Sequence, residues 1–245
     1  HGSVEHFLHR GMGILVRDAA GRPAAGASAY VSWPWGLEVQ LQTRQDQEGK
    51  GLATAAAAAL LQAALDAAQG AGAETEFVEL ARLDIGYCIG CNACLAKPAC
   101  TLSDDMDGLV AKMKAADGII VGSPDYFANV SARTKTFIDR TRPLHMVANA
   151  LKGKAGGAVT TSGLVDCGAE ETLGVLDRFF ATHEMLVVHP RPKGPVKANG
   201  TAASQFAGLD EEGRIRWRRV QDDATAFAYA RQLGEDMVEL LKRLG

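Results

Sequence analysis

The sequence predicts an α/β protein in which a parallel sheet is covered by helices on both faces. Three observations predict it. Strand and helix signals alternate from residue 36 to the C-terminal end, the pattern of a sheet layered between helices. Residues 118–122, Gly-Ile-Ile-Val-Gly, are a short apolar run ending in Ser123-Pro124, as expected of a strand buried on both faces. The chemically distinctive residues gather in the segments that follow such runs, and an open parallel sheet binds ligands outside the carboxyl ends of its strands.

Taken in order, residues 1–36 form an N-terminal extension of unassigned role, and residues 37–245 form the α/β domain. Within the extension, residues 13–32 read as two short strands, with Asp18 to Pro23 supplying turn residues. About twenty residues here resemble the opening hairpin of small β-sandwich modules attached to some carboxypeptidases. Trp33-Pro34-Trp35-Gly36 breaks the pattern and marks a boundary. Residues 37–42 alternate apolar and polar and are expected to be the first strand of the sheet. Residues 51–69 are rich in alanine and leucine, a helix by propensity, ended by Gly70-Ala71-Gly72. Residues 74–80 are the next expected strand. Asp104, Asp105 and Asp107 place acidic groups at a helix N-terminus, where the dipole favours them. Helices are expected over 130–144, 169–181 and 222–244, and strands over 118–122, 156–161 and 184–189. A polar excursion over 190–214 precedes the closing helix.

Composition narrows the function. Apolar residues make up 47% and charged residues 22% of the 245 residues, as in ordinary globular proteins. The net charge of −3 lacks the basic footprint of a nucleic-acid-binding protein. No apolar run approaches the length needed to span a bilayer, and the start of the chain lacks the charged-then-apolar order of a signal peptide. Five cysteines, an odd number and mostly clustered, do not make a secreted disulfide framework. The expectation is a cytoplasmic protein with neither nucleic acid nor membrane as partner.

Four of those cysteines, Cys88, Cys91, Cys94 and Cys100, fall within thirteen residues at spacing C-x2-C-x2-C-x5-C. Three thiols at intervals of three can wrap one face of a compact centre, and a fourth returns to close it. That is what a [4Fe–4S] cluster asks of its thiolates. Zinc with four cysteine ligands is the competing metal reading, although it usually takes two separated C-x2-C knuckles. A metal-free loop of buried or redox-active thiols is the third.

Two further loops follow strands. Residues 123–131, Ser-Pro-Asp-Tyr-Phe-Ala-Asn-Val-Ser, combine Pro124, aromatic Tyr126 and Phe127, and polar Asn129 and Ser131. A flat ring needs aromatic faces to pack on and backbone amides aimed at its polar edge. Residues 160–170 carry Thr161, Ser162 and Gly163 ahead of a helix N-terminus. Each segment also reads as an ordinary strand–helix connection. His145, His183 and His189 are isolated and read as structural or surface histidines. The basic run 214–219 reads as a solvated face balancing Asp210, Glu211 and Glu212, or as an attraction for dinucleotide phosphates. Cys167 has no partner in view.

From residue 74 to 142 the chain resembles the NAD(P)H-dependent FMN reductases of flavodoxin-like fold, and within them the iron–sulfur flavoproteins. The residues that carry the resemblance are Cys88-Ile-Gly-Cys91-Asn-Ala-Cys94, Asp104-Asp105-Met106, Ala116-Asp117-Gly118-Ile119, Gly122-Ser123-Pro124 with Tyr126-Phe127 and Asn129-Val130-Ser131, and Lys135 with Phe137-Ile138-Asp139-Arg140. The resemblance implies a doubly wound five-stranded parallel sheet in the order 2-1-3-4-5. It implies FMN as cofactor, a [4Fe–4S] cluster on the four cysteines, and NAD(P)H as co-substrate. By it, Ser123, Pro124, Asp125, Tyr126, Phe127, Asn129 and Ser131 flank the flavin ring, and Thr161, Ser162 and Gly163 touch its pyrimidine side. It also implies a homodimer or homotetramer. The family's phosphate loop is replaced here by residues 43–54, in which Arg44, Gly51 and Thr54 offer charge, an amide and a hydroxyl, while Asp46 and Glu48 repel a phosphate.

The expected function is an FMN-dependent oxidoreductase. It would pass electrons between NAD(P)H or a ferredoxin-like donor, the flavin and the cluster, with a small molecule or redox protein at the other end. Two alternatives stand beside it: a cluster-free NAD(P)H:FMN or quinone reductase, and a non-enzymatic flavodoxin-fold protein that has lost FMN.

Overall fold

A computed structural model describes residues 13–17, 23–33, 36–43, 52–191 and 201–244. The chain divides into two compact units, residues 1–52 and 53–245.

The first unit contains strands β1 (Gly13–Arg17), β2 (Pro23–Trp33) and β3 (Gly36–Thr43). They form an antiparallel meander, with Ile14 opposite Ala27 and Ala27 opposite Leu41. The predicted hairpin over 13–32 is there, but residues 37–42 are not the first strand of the parallel sheet. They pair antiparallel with β2. The alternation Leu37-Glu38-Val39-Gln40-Leu41-Gln42 accounts for this: it suits a half-buried antiparallel strand, whereas a central parallel strand needs apolar residues on both faces.

The second unit opens with helix α1 (Leu52–Gly70) and continues with α2 (Met106–Ala115), β4 (Gly118–Pro124), α3 (Ala132–Arg140), α4 (Arg142–Met146) and β5 (Ala155–Ser162). It closes with α5 (Ala169–Thr182), β6 (Leu186–Val187), β7 (Thr201–Ser204), β8 (Phe206–Leu209), β9 (Ile215–Trp217) and α6 (Ala224–Leu244). β4 pairs in parallel with β5 over its full length, from Gly118 opposite Ala155 to Pro124 opposite Thr161. The far edge of β5 takes β6 at its start and β7 at its end. One sheet position is thus filled twice, by the strand expected at 184–189 and by a stretch of the excursion expected to be irregular.

Every residue of β5 is buried, because each face carries a helical layer. A Cβ on Gly156 would stand 2.6 Å from the Phe180 ring of α5, and one on Gly157 would stand 3.0 Å from Leu233 of α6. Consecutive strand residues point to opposite faces, so these two glycines let one helix approach from each side. One core gathers Met106, Leu109, Phe137, Leu173, Leu176 and Phe180 from α2, α3 and α5. The other gathers Ala56, Leu60 and Ala64 of α1 with Ala230, Leu233 and Met237 of α6.

Residues 74–80, expected as a strand, form none, and a single 3₁₀ turn follows at Leu80–Arg82. Its apolar residues Val78 and Leu80 still pack on the first core. A strand exists only through a ladder partner, and the segment expected to neighbour it is paired with β2.

His183, at the end of α5, is 3% exposed. Its Nε2 lies 3.0 Å from the Thr141 hydroxyl, and its ring meets Phe179 and His145 edge-on. Burial, then the neighbouring His145, lowers its pKa to about 4. The folded value lies below the free one, so its contribution is complete above pH 6.5 and is lost as pH falls toward 4. We expect an acid-side loss of about 3 kcal/mol across that window. Urea midpoints between pH 7 and 4 check it, and His183→Gln should flatten the profile.

Candidate cofactor site

The carboxyl ends of β4 and β5 lie side by side and bring two predicted loops together. Ser123 and Pro124 are buried at the end of β4. The Ser123 hydroxyl donates to Pro124 O at 2.9 Å and accepts from Ser131 N at 3.0 Å, bridging the base of the loop. Ser131 caps α3, its Oγ accepting from Thr134 N, as serine does at helix starts. The Asn129 side chain accepts from Val130 N. Asp125 N donates to Thr161 O at 2.8 Å, and the Asp125 carboxylate accepts from the Thr172 hydroxyl at 2.8 Å, joining the loop to β5 and α5.

Above this base Tyr126 is 50% exposed and Phe127 91% exposed. Phe127 and Ala128 both take positive φ, 56° and 59°, and the amides of residues 127–129 find no protein acceptor among the described residues. Successive unpaired amides beside an exposed aromatic make a surface for the polar edge of a flat ring. Thr161 and Ser162 are buried in β5, and Gly163 is exposed just beyond it. Gly168 packs directly on Ala128, closing the two loops against each other. Of the phosphate-loop candidates, Arg44 and Gly51 lie outside the described residues, and Thr54 falls in the first turn of α1.

The other end of α3 meets the cysteine loop. Arg140, its last residue, forms a bidentate pair with Asp104 at 2.6 and 3.0 Å and also donates to Gly86 O at 2.7 Å. Asp104 accepts in turn from Gly86 N and Met106 N. The Arg140 side chain is 1% exposed, so a buried charge pair fixes both ends of the segment holding the cysteines. The Arg140 hydrogen bond, opposed by burial, holds the Asp104 carboxyl below the usual range. From Ser131 to Arg140 the helix spans about 13 Å at its rise of ~1.5 Å per residue, linking the two places.

Cys88, Cys91, Cys94 and Cys100 line one pocket, walled also by Asn92, Arg140 and Arg142. None is in a disulfide. Arg142 donates to the Asn92 side chain at 2.8 Å, and Asn92 takes positive φ next to the 3₁₀ turn carrying Cys94. The Thr101 hydroxyl, 3.3 Å from Cys91 Sγ, and then the Ala93 amide draw the Cys91 thiol below its ordinary pKa. Among the described residues no three cysteine, histidine or carboxylate side chains converge as metal ligands do. The donor set suits an iron–sulfur centre in the type and number of its ligands: four thiols line one pocket, with the guanidinium groups of Arg140 and Arg142 beside them.

A family model described as NADPH-dependent FMN reductase matches residues 53–191. The chain belongs to that family. The match begins where the second compact unit begins. A family member here is an oxidoreductase of flavodoxin-like fold. Among relatives, an iron-sulfur flavoprotein of Methanocaldococcus jannaschii is 37% identical over 190 residues, 75% of this chain and 89% of the relative. An iron-sulfur flavoprotein of Methanosarcina thermophila is 30% identical over 183 residues, 75% and 86% of the two chains. The solved structure of RosB with bound 8-demethyl-8-formylriboflavin-5'-phosphate superposes with TM-score 0.55 at 15% identity, covering 82% of this chain and 77% of that one. At that identity the likeness speaks for the fold. Residues 1–69 match a second family model, GNAT acetyltransferase, a different likeness from the β-sandwich modules that residues 13–32 resemble. No helix among the described residues is long and apolar enough to cross a membrane.

Gly168 contributes to the site through a contact that no local pattern reveals: it precedes a helix and packs closely on Ala128, 40 residues away.

Proposed function

We propose that this oxidoreductase is an iron–sulfur flavoprotein, with FMN at the carboxyl ends of β4 and β5 and a [4Fe–4S] cluster on Cys88, Cys91, Cys94 and Cys100. The observation that carries the reading is that all four cysteines line one pocket at the end of the helix whose start caps the 123–131 loop. When bound, FMN exchanges two electrons with a nicotinamide and single electrons with a cluster.

The chain's residues hold and orient these groups. Tyr126 and Phe127 present aromatic surface to the ring, and the amides of residues 127–129 meet its polar edge. Thr161, Ser162 and Gly163 form the opposite side, and Asp125 ties the two loops together. Ser123 and Ser131 keep the loop in shape, their hydroxyls being engaged within it. Arg140 and Arg142 face the thiolates with positive charge, which favours the charged form of the ligands. NAD(P)H or a ferredoxin-like protein is the donor, in the cytoplasm, and the working form is a homodimer or homotetramer.

The test is the iron, acid-labile sulfide and flavin content of anaerobically purified protein, beside a Cys94→Ala variant. About four irons per chain, lost in the variant while flavin stays, is the expected result. Flavin without iron would leave a cluster-free NAD(P)H-dependent reductase. A protein binding neither would end both readings.

A further inference from the structure

Beyond the loops assigned to the flavin, the chain carries an apolar face that nothing so far explains. β8 and β9 form an antiparallel hairpin, with Phe206 opposite Trp217 and Leu209 opposite Ile215. Opposed residues share a face, as do Ile215 and Trp217 two apart on β9, and the register shift in β8 between Phe206 and Leu209 leaves all four side chains in one apolar stripe. Leu209 is 56% exposed and Trp217 58%. An isolated two-stranded hairpin is marginal in water, and exposure of a large aromatic on so small an element calls for a ligand or partner.

Its position selects the ligand. The hairpin is fastened to the end of the parallel sheet: Gln205 N donates to Ser162 O at 3.0 Å, and Arg218 N donates back to Gln205 O at 2.8 Å. Arg218 is held by Ser204 O at 2.9 Å and by the Asp223 carboxylate at 2.5 Å. The six-membered ring of Trp217 lies 3.7 Å from where a Cβ on Gly163 would stand. Gly163 belongs to the segment proposed above for the pyrimidine side of the flavin, and Trp217 borders it as an exposed, anchored indole.

We infer that Trp217 is a wall of the flavin site, stacking against the isoalloxazine ring on the β5 side. The inference rests on the flavin reading. Trp217 acts on the ring alone, because it carries no charge for the phosphate; the guanidinium groups of Arg214 and Arg219 are engaged by Asp210, Glu212 and Asp222.

The experiment titrates FMN and, separately, riboflavin into the flavin-free full chain, followed by flavin fluorescence, for wild type, Trp217→Ala, Trp217→Leu and Trp217→Phe. Loss of a stacked aromatic is expected to weaken both flavins roughly tenfold in the alanine and leucine variants, by the same factor, with phenylalanine restoring most of it. Leucine keeps apolar bulk under the hairpin, so it reports on stacking should alanine fail to fold. Variants that bind both flavins like wild type would overturn the inference and leave the flavin reading standing, as would weakening of FMN but not riboflavin. If the wild type binds neither, the flavin reading itself has failed and the inference falls with it.

Discussion

Arg140→Ala is expected to lower stability by about 3–5 kcal/mol, the usual result of removing one partner from a buried ion pair. The arginine side chain is 1% exposed, the Asp104 side chain 13%. Removing the guanidinium strands a carboxylate that would have to be neutralised or hydrated, and it also releases the Gly86 carbonyl. For a chain of this size the melting temperature should fall by roughly 6–20 °C. Arg140→Lys should recover little, since one ammonium cannot reproduce the fork that meets both Asp104 oxygens and Gly86 O.

The pair also has a pH signature. Asp104 titrates below the ordinary carboxylate range in the folded state, so its contribution is present above the free carboxylate pKa of 3.8. It is lost as pH falls through the folded value. The acid limb of the stability profile below pH 4 should therefore lose part of its slope in Arg140→Ala. Urea unfolding of the variant across pH 3–7 reads both effects. A loss below about 1 kcal/mol at pH 7 would show that the pair does not anchor the cysteine loop.

The second large effect is expected at Gly168→Ala. Gly168 takes φ 108°, and an added Cβ would stand 2.3 Å from Ala128 Cα and 2.6 Å from Ala128 Cβ. The left-handed conformation costs an L-residue about 1–2 kcal/mol, and overpacking costs about 1–3 kcal/mol more. Ala128 belongs to the loop that presents Tyr126 and Phe127, so relief of the clash must move the proposed ring surface. The variant should combine a stability loss of about 2–5 kcal/mol with weakened FMN binding. Adding Ala128→Gly removes the Cβ collision but leaves the Cα one, so rescue should be partial. Full FMN affinity in Gly168→Ala would break the link between this contact and the site.

These two positions differ in how well the sequence announces them. Asp104 and Arg140 belong to segments that resemble the family's pattern, yet nothing in their spacing says that they meet across 36 residues. Gly168 is one glycine in a loop, and its neighbour lies 40 residues away. The cysteines are the opposite case: their spacing is itself the signal, because residues three apart on a short loop must stay close. The 123–131 loop was legible for the same reason, as it directly follows an apolar strand and carries its distinctive residues in one run. The antiparallel pairing of residues 37–42 was not legible, since an alternating strand does not state its partner. The same holds for residues 201–204, where a polar segment completes the edge of β5 because a backbone ladder is indifferent to side chains that leave its N–H and C=O groups free.

The sequence by itself determined what is local: the parallel-strand run at 118–122, the helix propensities, the four-thiol spacing and the aromatic loop after β4. Tertiary structure alone decided which segments pair, that a buried Arg140–Asp104 bridge holds the cysteine loop, and that Trp217 returns to stand beside Gly163. The physical reason is the range of the interactions. Propensity, capping and ligand spacing act within a few residues, whereas ladder pairing, buried charge compensation and close packing are settled only when distant parts of the chain compete for the same partners.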